Sequence, residues 1–185
     1  MRSPSEPVVI VLVIPWIPAS KKNQVRVAPI RIRGQVIHRP VPSTQVLAEE
    51  HAIGVLFSAQ RALQERQIDA ERFQEIRDLC IRRASRREGI GSRRLSEQDP
   101  GAQDPWIPEG HDVAMELEIV IGQKAGDDRS VVRVQDLGPR RKRRRSGRRR
   151  DAINLPAIVA DALKGRAFPD DRDIVDLRVR VSYDA

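Results

Sequence analysis

The spacing of apolar residues along the chain predicts three strands of a β-sheet. Residues 8–14 form an unbroken apolar run rich in β-branched residues, which is typical of a strand buried on both faces. Residues 113–121 instead alternate between apolar and mostly polar positions, which indicates a strand with one buried face. The short run at 131–134 is expected to pair with it in antiparallel orientation across the turn that joins them.

A further alternating stretch, within residues 19–42, predicts a β-hairpin arm that turns at Gly34. Several arginines lie along this arm, and two interpretations fit them. Either they lie on phosphate groups, or they protect an edge strand from aggregation. These arginines are Arg26, Arg31, Arg33 and Arg39.

Helical periodicity marks two long stretches in the middle of the chain. One helix is predicted from Ser43 or Thr44, which are good capping residues, to about Gln67. The next is predicted from Asp69 to about Arg87, and its last turns carry a group of arginines that suits a helix C-terminus.

A third helix is predicted from about Leu155 to Lys164. Asn154 is expected to cap its first turn, and Gly165 is a residue that commonly follows a helix C-terminus. The apolar residues of this segment recur every three to four positions and so share one face. They are Leu155, Ile158, Val159, Ala162 and Leu163.

The order of these elements favours an α/β fold in which helices pack on a small mixed β-sheet. At 185 residues the chain is expected to form a single domain, residues 1–185, with its own core. Residues 88–111 are rich in Gly, Pro and charge, and we interpret them as a long, mobile surface loop. Trp16 is predicted to fill the core rather than to stack on a base.

The net charge of +8 comes from one stretch of the chain. Nine of the 34 Lys and Arg residues lie at 140–150, whereas the whole chain has 26 Asp and Glu residues, so the rest of the chain is close to neutral. A local basic cluster between a predicted strand and a predicted helix indicates a surface that binds a polyanion. We therefore expect a basic loop at 140–150 that binds the backbone of a nucleic acid.

Cysteine and histidine usage excludes some kinds of site. The single cysteine, Cys80, rules out an intrachain disulfide and a cysteine-rich zinc site, and its place on a helical apolar pattern predicts that it is buried. His38 and His51 have no partner at metal-ligand spacing and receive no role. No stretch of the sequence approaches the roughly 18 apolar residues of a membrane span, so we expect no membrane partner and a cytoplasmic location.

Carboxylates flank the third predicted helix, next to the basic loop. Asp151 comes directly before the helix, and Asp170 and Asp171 come after it, ahead of a closing strand. Magnesium prefers oxygen ligands and keeps several waters, so few carboxylates are enough to hold it. A bound Mg²⁺ activates water and stabilises charge on a phosphoryl group. The pattern therefore predicts phosphodiester hydrolysis, with Asp151 and Asp171 as metal ligands and Asp170 as a further ligand or an orienting base.

The sequence DAINLPAIVADALKG at 151–165, followed by FPDDRDIV at 168–175, resembles the active-site region of the RusA family of Holliday-junction resolvases. The family pattern there is D-x-D-N-L-x-K-x-x-x-D-A-L-x-G. The N-terminal VIPWIPASKKN at 13–23 is similar to the opening strand of the family and its L-P-x-P-P-S-x-N motif. The matching positions of the longer segment are Asp151, Asn154, Leu155, Asp161, Ala162, Leu163, Gly165, Asp170 and Asp171.

This resemblance implies a RusA-like α/β fold and a homodimer whose two active sites cut both strands of a four-way DNA junction. It implies dependence on Mg²⁺, with Mn²⁺ expected to substitute, and a bacterial or phage-infected cell. Asp151, Asp170 and Asp171 would be the catalytic and metal-binding acids, Asn154 and Asp161 would support them, and 88–111 would be an insertion. DNA contacts are expected from Lys21, Lys22, Arg143, Arg144, Arg145, Arg148, Arg149 and Arg150.

Two positions depart from the family pattern. Ile153 stands where the family has a second acid, and Ala157 stands where it has a lysine, as in some phage-type members. Lys21, Lys22 and Lys164 are the candidates to replace that lysine. The departures leave two alternatives to a resolvase: a catalytically impaired protein that binds branched DNA, and an RNA- or DNA-binding module that works through its arginine run alone.

Overall fold

The computed structural model describes residues 9–18, 25–32, 35–85, 95, 97, 99–100, 104–124, 127–139 and 154–183. In chain order these contain β1 (Val9–Ile14), β2 (Val25–Ile32), β3 (Gln35–Pro42), α1 (Thr44–Gln64), α2 (Ala70–Ser85), β4 (His111–Ile121), β5 (Arg129–Pro139), α3 (Asn154–Leu163), a 3₁₀ turn (Asp171–Asp173) and β6 (Ile174–Tyr183). The protein is thus a mixed α/β structure, as the sequence predicts.

A four-stranded sheet in the order β1-β5-β4-β6 forms the centre of the fold. β5 runs antiparallel to both of its neighbours, and β6 runs parallel to β4, so the sheet is mixed. The predicted pairing of the two middle strands is confirmed, since Met115 lies opposite Val134 and Leu117 lies opposite Val132. Because the buried residues of β4 and β5 alternate along each strand, one face of the sheet is directed at the core.

The prediction that β1 is buried on both faces is wrong. Ile10, Leu12 and Ile14 are buried, but the alternate residues Val9 and Val11 remain 46% and 42% exposed. β1 is an edge strand, and its outward face lies on the side of the sheet away from the core. An unbroken apolar run therefore does not reveal whether a second layer covers the strand.

Helices α1 and α3 pack together and contribute, with the inner face of the sheet, to one continuous core. α1 supplies the largest share of that core, since most of its middle residues are buried. Its predicted start is confirmed: the Ser43 side chain accepts a hydrogen bond of 3.2 Å from the backbone N–H of Val46. The largest fully buried side chains include Phe57, Phe168, Leu12, Ile14, Ile53, Leu56, Met115, Leu117 and Ile158.

The second predicted helix is also confirmed, with slightly shorter bounds. Asp69 precedes it, and its carboxylate accepts a hydrogen bond of 2.7 Å from the backbone N–H of Arg72. Cys80 is fully buried, as predicted, and burial raises the pKa of its thiol to about 12. The cysteine is therefore an apolar filler of the core rather than a reactive group.

The described parts of residues 88–111 are not only surface. Leu95 and Ile107 are each 1% exposed, and Trp106 packs against the core. The prediction of a surface loop is therefore wrong at these positions. Isolated apolar residues in a polar stretch show no helical or strand periodicity from which their burial could be predicted. Trp16 also packs against the core, which agrees with the predicted filling role.

The predicted hairpin is confirmed as β2 and β3, which pair antiparallel in a sheet of their own, apart from the four-stranded sheet. β3 leads through Ser43 directly into α1. Within the described ranges, none of the helices has both the length and the apolar character that crossing a bilayer requires.

Candidate active site

The predicted acid pair lies where the chain leaves α3 and begins β6. Asp170 has an extended backbone and caps the 3₁₀ turn: its carboxylate accepts a hydrogen bond of 2.9 Å from the backbone N–H of Arg172. Its backbone carbonyl accepts a second one, of 3.0 Å, from the N–H of Asp173. Asp171 follows as the first residue of the turn and is exposed. The turn thus holds two neighbouring carboxylates at the protein surface.

Lys164 brings a positive charge to both acids. Its ammonium nitrogen, Nζ, lies 3.6 Å from Oδ2 of Asp170 and 3.5 Å from Oδ1 of Asp171. All three side chains are well exposed, at 45%, 37% and 47% of their surface, so these ion pairs contribute little to stability. Of the lysines considered as a replacement for the family lysine, Lys164 is the one that the described structure brings to the acids.

The pKa of Asp170 is lowered from 3.8 to about 2. The main cause is a hydrogen bond from the Asp171 carboxyl group, followed by the one from the backbone N–H of Arg172 and the positive charges of Lys164 and Arg172. Each of these favours the ionised form of Asp170. The carboxylate is therefore negatively charged throughout the neutral range, as a metal ligand must be.

This shift is directly measurable. We expect the side-chain carbon of Asp170 to titrate near pH 2 in an NMR experiment rather than near 3.8. Because the pKa is lower in the folded than in the unfolded chain, ionised Asp170 stabilises the fold above pH 3.8, and this contribution is lost as the pH falls towards 2. Asp171→Ala, which removes the hydrogen-bonding group and therefore the main cause, should raise the midpoint more than Lys164→Met does. A wild-type midpoint near 3.8 would contradict the described geometry.

The turn that carries these residues is anchored on both sides. Gly165 adopts a left-handed backbone, with φ of +74°, and its N–H donates a hydrogen bond of 2.8 Å to the carbonyl of Phe168, which is fully buried. The backbone N–H groups of Trp106 and Ile107 donate to the carbonyls of Arg166 and Ala167 at 3.1 and 2.9 Å. Backbone pairing to a neighbouring segment and a buried ring therefore fix the path from Lys164 to the acid pair.

Arg166 adds a polar anchor beneath this turn. Its guanidinium donates two hydrogen bonds to the Asp99 carboxylate, at 3.2 and 2.7 Å, and a third to the hydroxyl of Ser58 on α1. Gly54 makes room for it, because a methyl group there would lie 2.9 Å from Nε of Arg166. This cluster was not predicted from the sequence, because it is assembled from three distant parts of the chain: α1, Asp99 and Arg166.

A histidine–carboxylate pair lies at the same end of the sheet. Nδ1 of His111 is 2.8 Å from Oδ1 and 2.9 Å from Oδ2 of Asp136, and that carboxylate also accepts a hydrogen bond of 2.8 Å from the N–H of Gly138. His111 begins β4, and β6 starts beside Val113. The pair was not predicted from the sequence, since only the register of β4 on β5, with its irregularity near His111, brings the two residues together.

The same register places the end of β5 relative to the acids. β5 ends at Pro139 opposite His111, and the arginine run begins one residue later, at 140. β5 and β6 lie on either side of β4, so the end of one and the start of the other are roughly 10 Å apart at ordinary strand spacing. The chain thus enters the basic segment close to the acid turn.

Asp170 and Asp171 fit a divalent cation of the magnesium type in charge and in ligand atoms. They offer carboxylate oxygens on adjacent residues at the protein surface, and such an ion needs only one or two carboxylates besides water. The described residues alone contain no cluster of three or more His, Cys, Asp or Glu side chains that could hold a metal. Asp151, the predicted third ligand, lies outside the described residues.

Many of the residues predicted from sequence fall outside the described ranges. Asn154 begins α3, but its side chain is not described, so its capping role stays a prediction. Asp161 is exposed on α3. The predicted residues whose positions are not described are Asp151, Lys21, Lys22, Arg143, Arg144, Arg145, Arg148, Arg149 and Arg150.

No protein-family model, curated protein or solved structure matches this chain.

Proposed function

We propose that this chain is a metal-dependent endonuclease of the RusA type, which cuts Holliday junctions and related branched DNA by paired phosphodiester hydrolysis. The observation that carries the proposal is the group formed by Lys164, Asp170 and Asp171, with an ammonium within 3.6 Å of both carboxylates. It lies at the end of the sheet from which the arginine run departs. Opposite charges at one place are what hydrolysis of a polyanion at a metal centre requires.

Each residue of the site has a role that follows from its chemistry. Asp171 and Asp170 would hold Mg²⁺ together with Asp151, and Mn²⁺ would substitute for it. The metal, when bound, supplies charge neutralisation and an activated water. Lys164, with its mobile ammonium, would stabilise charge on the phosphate oxygens, since it already faces both acids.

The arginines at 143–145 and 148–150 would hold the DNA backbone, together with Lys21 and Lys22. Such phosphate contacts carry no sequence information, so they suit an enzyme that recognises the shape of a branch. A four-way junction has near two-fold symmetry, and two symmetric cuts need two active sites. A homodimer supplies both, and we propose that the chain acts as one.

A gel assay tests this function. The chain is incubated with a labelled four-way junction and, separately, with a duplex of the same sequence, in Mg²⁺ and in EDTA. We expect cleavage of the junction in Mg²⁺ only, with paired nicks at symmetric positions, and little cleavage of the duplex. Equal cleavage of junction and duplex, or cleavage in EDTA, would contradict the proposal.

A second candidate is a protein that binds branched DNA without cutting it. Ile153 and Ala157, which replace the second acid and the lysine of the family pattern, favour it. So does the engagement of Asp170 in capping the 3₁₀ turn. Preferential binding of the junction over the duplex, with no product in Mg²⁺ or Mn²⁺, would support this candidate over the nuclease.

A further inference from the structure

Both faces of the hairpin of β2 and β3 carry exposed side chains, since Val36 and His38 lie on one face and Gln35 and Ile37 on the other. Cross-strand partners share a face, and the pairs Val27 with Pro40, Pro29 with His38 and Arg31 with Val36 lie on the same one. On this face Val27 is 69% exposed and Val36 is 53% exposed, and Pro29, Arg31 and His38 are exposed as well. The hairpin therefore displays apolar side chains and a cation side by side, away from the core of the domain.

The β2–β3 hairpin, called the arm below, is expected to gain stability from a binding partner. A two-stranded hairpin is at best marginally stable in water, and this one is not hydrogen-bonded to the four-stranded sheet. Exposed valines on an isolated ribbon contribute nothing to the core. An apolar surface that stays exposed to solvent is typical of an interaction site.

The charge of the arm identifies the partner. Residues 25–42 contain Arg26, Arg31, Arg33 and Arg39 and no Asp or Glu. Among the described residues no acid pairs with Arg31. A second copy of the chain docked hairpin to hairpin would bring these like charges together, which disfavours self-association. A polyanion removes the repulsion.

We propose that the β2–β3 hairpin is a DNA-binding arm that lies against a duplex segment next to the branch point. A two-stranded ribbon has the width of the DNA major groove, and its arginines reach phosphates while its apolar side chains contact base edges or sugars. The choice of branched DNA as the ligand rests on the function proposed above. The hairpin would bind one duplex branch of the junction at a surface separate from the acid turn.

Binding measurements test the arm. The variant Val27→Ser, Arg31→Gln, Val36→Ser changes only exposed residues of the hairpin. Its affinity for a fluorescent four-way junction is measured in EDTA between about 50 and 200 mM salt, the range over which phosphate contacts dominate the salt dependence. We expect binding about tenfold weaker than that of the wild type, with a salt slope reduced by about one for the lost arginine contact.

The control variant carries the same kinds of change elsewhere: Leu47→Ser on α1, Arg72→Gln on α2 and Val181→Ser on β6, all exposed. It should bind like the wild type. If the triple hairpin variant fails to fold, the single changes Arg31→Gln and Arg31→Lys replace it. The glutamine should weaken binding and the lysine should retain most of it, because the lysine keeps the charge.

The outcomes separate this inference from the function. If the folded hairpin variants bind the junction with wild-type affinity, the hairpin is not a DNA-binding arm. If these variants still cut the junction, the proposed nuclease function is retained. Loss of self-association in light scattering, with DNA affinity unchanged, overturns the arm in favour of a second copy as its occupant. A wild-type chain that binds neither junction nor duplex overturns the proposed function itself.

Discussion

Asp171→Asn is expected to reduce the rate of junction cleavage by about three orders of magnitude while leaving metal-free binding of the junction unchanged. The metal contributes several kcal/mol to stabilising the transition state, and each 1.36 kcal/mol corresponds to tenfold in rate. Asparagine keeps the size of the side chain but removes the charge. Single-turnover cleavage of a labelled junction in Mg²⁺ measures the rate, and a binding titration in EDTA measures the affinity.

Asp176→Asn is the matched control, because Asp176 is an exposed acid of β6 that pairs with Arg178 at the surface. It should cleave at the wild-type rate. Asp151→Asn should reproduce the Asp171→Asn defect if both acids hold the same ion. Cleavage by the Asp171→Asn enzyme at the wild-type rate would show that the metal assignment is wrong.

Phe168→Ala is expected to lower the free energy of unfolding by about 3 to 5 kcal/mol, the usual cost of removing a buried phenylalanine ring. Phe168 is fully buried, and its carbonyl accepts the hydrogen bond from Gly165 in the turn between Lys164 and the acids. The change therefore removes packing under the candidate site as well as stability. Urea denaturation followed by circular dichroism measures the loss.

Leu47→Ala serves as the control for this change, since Leu47 is 46% exposed on α1 and should cost less than about 1 kcal/mol. If Phe168→Ala lost no more stability than Leu47→Ala, the ring would not be the anchor described here. A Phe168→Leu variant that folds but cuts slowly would assign the ring a role in positioning the acids.

The sequence predicts the elements well where a period is long enough to be read. The alternation at 113–121 identifies β4 and its buried face, and capping residues such as Ser43 and Asp69 mark the starts of the helices. These signals are local, because each depends on backbone hydrogen bonds or on side-chain direction within a few residues.

Features that depend on the arrangement of elements could not be predicted in this way. The alternate residues of β1 are exposed because they lie on the face of the sheet away from the core, and Ile107 is buried because its segment pairs with the turn after α3. Neither arrangement leaves a period in the sequence. The apolar run of β1 would look the same in a central strand.

The candidate site was predicted only in part, because some of its contacts are local in the chain and others depend on the arrangement of elements. Asp170 and Asp171 are neighbours in the chain, so they lie close together whatever the tertiary structure. The contact of Lys164 with both acids depends on the left-handed Gly165, and the His111–Asp136 pair depends on strand register. Whether Asp151 approaches Asp171 stays a prediction, since Asp151 lies outside the described residues.

The parallel pairing of β4 with β6 has a kinetic consequence. Parallel strands cannot be joined by a tight turn, so Val113 meets Ile174 only after the long intervening chain has closed into a loop. Contacts of such large sequence separation slow folding. The acid turn, which precedes β6 directly, is therefore expected to take its final place late, after hairpins such as β4–β5 have formed.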